Sequence, residues 1–225
     1  MDPNLRSDVV EDATLANYLL SQIRTLFPGD DTLVSEIVVH VPEAIADVRR
    51  IVSALVEWRA RGFSKLISWQ YATFLYKLSR RCIAGHLDVA ATDRLFLLNK
   101  TLHGLDLHPQ IELPEIFFLS HTNAAVFARA SYSDYSVFHQ SVTIGRKGNA
   151  RPSMEKFLVM YPGSMIIGNC AVRENTVLAP GVRLIDKDTP GNCYVFDDGR
   201  GGVRFREIDH VHAARFFDIS RSVDL

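Results

Sequence analysis

The hydrophobic positions of this chain change their period near residue 104. Upstream, apolar residues return at helical spacing. Leu15, Leu19, Ile23 and Leu26 mark a first helix, stopped by Phe27-Pro28-Gly29-Asp30. Asp31 or Thr32 can cap a second, running through Val39. Pro42 suits the first turn of a third, with Ile45, Val48, Ile51, Val52 and Leu55 on one face and Gly62 as its end. A fourth is predicted from about Ser64 to Arg81, and a fifth from Ala91 to His103. The aromatic residues of this half read as core.

Downstream, the apolar residues fall on every sixth position: Leu107, Leu113 and Leu119, then Val126, Tyr132, Phe138 and Ile144, then Met154, Met160, Ile166, Val172, Leu178 and Leu184. A helix cannot use that period. A triangular parallel β-helix can, with one inward residue on each side and turn-forming residues at the corners, as in Ile167-Gly168-Asn169 and Ala179-Pro180-Gly181. The alternative is a sandwich of ordinary short strands. Two interruptions stand out. Ser120-His121-Thr122-Asn123 stretches one corner, and the basic, glycine-containing run from Gly145 to Ser153 leaves the pattern, as binding loops do. After Ile185, a turn and the segments Tyr194-Val195-Phe196 and Val203–Arg206 predict a hairpin, followed by a short helix from His210 to Ile219 that caps the solenoid end. The fold class expected is α+β, with a helical region 1–104, a β-helix 105–185 and an extension 186–225.

Composition adds little that is positive and excludes a good deal. The formal net charge is -1, which gives no electrostatic reason to expect nucleic acid or an anionic membrane as partner. Cys82, Cys170 and Cys193 form no CxxC pair, so reduced thiols are expected rather than a disulfide framework or a metal site. Neither the opening Met1–Arg6 nor any later apolar run has the character of a leader or a membrane span, and a cytoplasmic location is expected.

Several segments together resemble the serine O-acetyltransferase branch of the hexapeptide-repeat acyltransferases. They are Asp106-Leu107-His108-Pro109, His121 fifteen positions beyond the aspartate, Gln140-Ser141-Val142-Thr143-Ile144-Gly145, and Arg151-Pro152. Gly62-Phe63 and Leu75–Arg81 resemble the last helices before that family's solenoid. The resemblance implies a left-handed β-helix, acetyl-CoA as co-substrate and no metal. It also implies a homotrimer or dimer of trimers, with the active site between chains.

The implied chemistry is direct transfer. A base takes the acceptor's hydroxyl proton as the oxygen attacks the thioester, a role suited to histidine. By resemblance His121 is that base and Asp106 its orienter. A lone histidine is as readily structural; the paired spacing is what argues for catalysis. The resemblance also carries coenzyme A contacts onto Gly145, Pro162, Gly163, Ala179 and Pro180, and acceptor contacts onto Ser120, Arg151 and Asp47.

Two departures bear on the acceptor. Ser120 stands where the family has an aspartate beside its histidine, and Arg151 runs directly into Pro152 where the family has an intervening histidine. Loss of two polar partners predicts an acceptor other than free serine. Serine acetylation itself, and a non-catalytic solenoid, are the alternatives.

Overall fold

The computed structural model describes residues 3–29 and 31–222, with side-chain environments for residues 13–29 and 35–220. The side chains of the expected cap, Asp31 or Thr32, lie outside what is described, as do residue 30 and the chain's first two and last three residues. Five helices come first: α1 (Pro3–Leu26), α2 (Asp31–Val38), α3 (Val41–Ala54), α4 (Ser68–Ala84) and α5 (Val89–His103). Leu19, Ile23, Val48, Phe74, Leu75 and Leu95 are fully buried among them, so the amphipathic faces read from sequence do meet. Among the described residues no helix is long and apolar enough to cross a membrane.

A left-handed parallel β-helix of about four turns follows. Its strands are β1 (Phe117–Leu119), β2 (Val126–Phe127), β3 (Ser136–Phe138), β4 (Thr143–Gly145), β5 (Ser153–Met154), β6 (Val159–Met160), β7 (Met165–Ile167), β8 (Ala171–Val172), β9 (Thr176–Leu178), β10 (Arg183–Ile185), β11 (Cys193–Asp197) and β12 (Val203–Glu207). They form three walls. One is the sheet β1-β3-β6-β9-β11-β12, the second is β2-β4-β7-β10, and the third is the short pair β5-β8. The inward ladder stacks in register: Phe138 on Met160 on Leu178, and Ile144 on Ile166 on Leu184.

The expected ladder fails at one rung. Val126 is 41% exposed, and Phe127, 4% exposed, points inward, where it stacks on Ile144. The corner after Leu119 is therefore one residue longer than the sequence spacing suggested. Phe127, Tyr132 and Phe138 then make an aromatic plug with ring centroids 5.1–6.3 Å apart. Tyr132 spends its hydroxyl on Ala128 O at 2.6 Å, and burial pushes its pKa well up. A buried phenol is tolerated because its polar end is paired.

The parallel wall continues past residue 185, since β11 pairs with β9 before β12 folds back antiparallel on its outer edge. That hairpin covers the sheet edge, as expected. The last segment forms 3-10 turns at His212–Arg215 and Ile219–Ser222 rather than one helix, and runs back to the helical region. There Val56 N–H donates to Phe216 O at 2.9 Å and Asp218 N–H to Ala54 O at 2.8 Å. This explains why α3 ends at Ala54 and not at Gly62: Leu55 turns extended to pair with Phe217.

Candidate active site

The end of α5 fixes the corner that carries His121. Asp88 caps the start of the helix, its carboxylate accepting from Ala90 N–H at 2.7 Å. Gly104 ends it in the left-handed conformation, φ 62°, which costs a glycine little. A side chain at 104 would also collide with Asn123, the Oδ1 of which lies 2.5 Å from the position of a Cβ. Gly104 O accepts from Ala124 N–H at 3.0 Å, and Asp106 N–H donates to Ala125 O at 2.9 Å. The corner itself is bent by left-handed residues at His121 (φ 56°) and Ala124 (φ 58°). A non-glycine residue held there is strained, and the α5 contacts keep it in place.

His121 is exposed at the wall of a cleft of about 610 Å³ between the solenoid corner and the helices. Trp58, Ser68, Trp69, His103 and Asn123 share that wall, and among the described residues no aspartate, glutamate, lysine or arginine lines it. His103 Nδ1 lies 3.0 Å from Ser68 Oγ, while its Nε2 is buried without a partner, as is Trp69 Nε1. Burial lowers the His103 pKa to about 4, so the ring is neutral at pH 7. His139, on the next coil, stacks on Tyr161 at 5.1 Å. Burial, and the nearness of His121, lower its pKa to about 4, and its Nε2 also lacks a partner.

The remaining predicted residues are distributed unevenly. Pro162-Gly163 and Ala179-Pro180 do lie in the corner column above His121: Ser141 N–H bonds Asn123 O, Gly163 N–H bonds Gln140 O and Gly181 N–H bonds Pro162 O, at 2.9–3.1 Å. Gly145 and Arg151 sit at the opposite edge of the β2-β4-β7-β10 wall. The run between them is a tight hairpin, Lys147 pairing its backbone with Ala150, rather than a long excursion. Lys147 is further tied to Asp186, while the Arg151 side chain is exposed. Ser120 is buried, and its N–H donates to Phe138 O at 2.8 Å.

Two carboxylates are engaged elsewhere. Asp106 accepts from Lys100 Nζ at 2.7 Å, and no hydrogen bond joins it to His121. Asp47 is gripped by Arg81 through two hydrogen bonds of 2.7 and 2.8 Å, in a separate pocket with Arg50, Lys77 and Arg80. Its expected place at the acceptor is not where it stands in the single chain: helix pairing holds α3 against α4 with this bond. Sequence reading missed Ser68 and His103; Trp58 and Trp69 belong to the core as read and also edge the cleft. The two tryptophans, flanking Gly62-Phe63, were assigned to the core. Their being the chain's only two, near a segment already singled out, was the available signal.

Among the described residues no group of three or more His, Cys, Asp or Glu side chains could hold a metal ion, and the three cysteines are buried and free. No family model and no curated protein matches this sequence. Solved structures do match it. The serine acetyltransferase of Vibrio cholerae O1 biovar El Tor N16961 is 16% identical, with a TM-score of 0.64 over 91% of this chain and 92% of that one. That of Brucella abortus strain S19 is 18% identical, with a TM-score of 0.62 over 80% and 75%. Serine acetyltransferase 1 of Entamoeba histolytica, in complex with L-cysteine, is 16% identical, with a TM-score of 0.57 over 82% and 75%. The chain shares the fold of the serine acetyltransferases, helices leading into a left-handed β-helix.

Proposed function

We propose that this protein is an acetyltransferase that moves the acetyl group of acetyl-CoA onto a hydroxyl of a small acceptor other than free serine. The observation that carries the reading is His121: a side chain exposed at a cleft wall, on a strained corner that α5 braces. An imidazole nitrogen of His121 takes the hydroxyl proton as the acceptor oxygen attacks the thioester carbonyl. The C–S bond then breaks, the proton passes to the departing thiolate, and an acetyl ester and free coenzyme A leave. No acyl-enzyme is required.

Lys100 occupies one oxygen of the Asp106 carboxylate, in an exposed ion pair of a kind held by about 1 kcal/mol or less, so the orienting role asks only for a side-chain rotation that brings a carboxylate oxygen to His121. The separation of the two edges of one wall supports a site built between chains. His121 and the Pro162 and Ala179 corners lie on one edge, Gly145 and Arg151 on the other. Closed rotational symmetry sets unlike edges of neighbouring copies against each other, and a homotrimer, or a dimer of trimers, meets that need. Coenzyme A then lies in the groove between copies, with Arg151 of one copy along that groove, where a guanidinium can grip a phosphate oxygen.

Incubation with acetyl-CoA and a panel of hydroxyl compounds, serine included, tests this directly. The expected result is an O-acetyl ester of a compound other than serine, identified by mass spectrometry. Absence of both ester and coenzyme A binding would favour a non-catalytic solenoid. An ester of serine alone would return the protein to serine acetylation, the reading that the structural likeness favours.

A further inference from the structure

The cleft at His121 has a composition that speaks to its ligand. We infer that it takes an uncharged, polyhydroxylated ring, a carbohydrate, as the acetyl acceptor; this rests on the acetyl-transfer reading of His121. A zwitterionic amino acid entering the cleft would lose water from an ammonium and a carboxylate, and each would need an opposite charge there. Among the described residues none lines the wall. Asp47, the expected carboxylate, is spent on Arg81, and Ser120 is a buried, uncharged residue. Arg61 stands over the Trp58 ring at 5.2 Å, outside the lining, and Arg59 is paired with Asp218.

What the cleft does offer is an apolar floor and neutral hydrogen-bonding groups. Trp58 and Trp69 meet edge to face with centroids 5.4 Å apart, and Leu102, 40% exposed, adjoins them. Ser68 and Asn123 supply groups that can both give and take hydrogen bonds, and His103, neutral at pH 7 because burial lowers its pKa, adds no charge. A sugar ring has the matching form: a flat face of C–H groups for the half-buried Trp58 indole and Leu102, and a rim of hydroxyls for the neutral polar groups. One rim hydroxyl at His121 is then the nucleophile. The approximate volume of 610 Å³ accommodates a ring, and is far more than serine fills.

The chain's only tryptophans are the two in this cleft, so their fluorescence reports its occupancy whether or not turnover follows. Methyl glycosides of glucose, galactose, mannose and N-acetylglucosamine, and L-serine, would be titrated into the full-length wild type, His121→Ala and Trp58→Phe, alongside thiol release from acetyl-CoA. At least one glycoside should give a saturable change in wild type and His121→Ala but none with serine, with affinity weakened about tenfold in Trp58→Phe at unchanged Tm. Thiol release with that glycoside should occur in wild type only. A saturable response to serine, or none to any glycoside, overturns the inference. The two readings fail separately: serine-dependent thiol release without glycoside binding sinks the carbohydrate and keeps acetyl transfer. Glycoside binding without thiol release does the reverse.

Discussion

Two cavities of the helical half differ in what their charges do. The pocket between α3 and α4 is crowded with them: Asp47, Arg50, Lys77, Arg80, Arg81 and Glu115 line it. Nearly all are spent on architecture. Arg81 holds Asp47, Arg50 holds Glu115, and Arg80 holds Glu112. Lys77, its pKa lowered by burial, rests over the Phe117 ring at 5.1 Å and reaches Pro114 O at 3.4 Å. Among the described residues, the cleft at His121 has no charged side chain in its wall, and Ser68 and Asn123 offer neutral polar groups there. Paired charges hold a fold together; neutral polar groups at a cleft wall are where a ligand gains. The contrast teaches that carboxylates near a site in sequence need not serve it.

The comparison can be broken most forcefully at Arg81. Arg81→Met leaves Asp47, whose side chain is 11% exposed, without its partner. The expected cost is about 2 kcal/mol, or roughly 4–8 °C in Tm for a chain of this size, with the acceptor KM unchanged. A raised KM at unchanged Tm would instead return Asp47 to the acceptor. Gly104→Ala should cost less stability, about 1 kcal/mol from the left-handed backbone. It should still lower kcat about tenfold or more, because Asn123 and the His121 corner must shift.

Acid separates the two cavities next. His103 and His139 have folded pKa values near 4, below the unfolded value of about 6.5, so unfolding takes up protons between the two. Their contribution to stability is complete above about pH 6.5 and is lost as the pH falls toward 4. Melting curves of His103→Gln should show a shallower acid slope over that interval than wild type. Arg151→Ala should be the mildest to the fold, within about 0.5 kcal/mol, since the side chain is exposed. If the site forms between chains, it should weaken turnover in the homo-oligomer, and coexpression with His121→Ala should restore part of the activity through mixed interfaces.

Much of the fold was legible because a solenoid repeats. Met154, Met160, Ile166, Val172, Leu178 and Leu184 stack as their spacing said, each coil repeating the geometry of the last. The spacing failed at Val126, where an irregular corner breaks the repeat and only strand pairing with β4 decides which residue faces in. The end of α3 was illegible for a different reason. It depends on a backbone bridge to Phe217, distant in sequence, and local propensity carries no trace of it. The site was half legible. The motif spacing pointed to a histidine that stands at a cleft wall, but the partners of Asp106 and Asp47 are side chains on α5 and α4, and ion pairing follows from how helices pack. The cleft's tryptophans are core, as read, and their place at its wall left no further trace in the hydrophobic pattern because burial and a binding wall ask for the same residue type.

The most direct measurement is thiol release from acetyl-CoA, with an acceptor that the wild type turns over, for wild type beside His121→Ala. Loss of the base should lower kcat by about a hundredfold or more, with coenzyme A affinity and Tm unchanged, since His121 is exposed and carries no packing. A variant that turns over at the wild-type rate would remove His121 from the chemistry, and with it the claim that this corner is an active site.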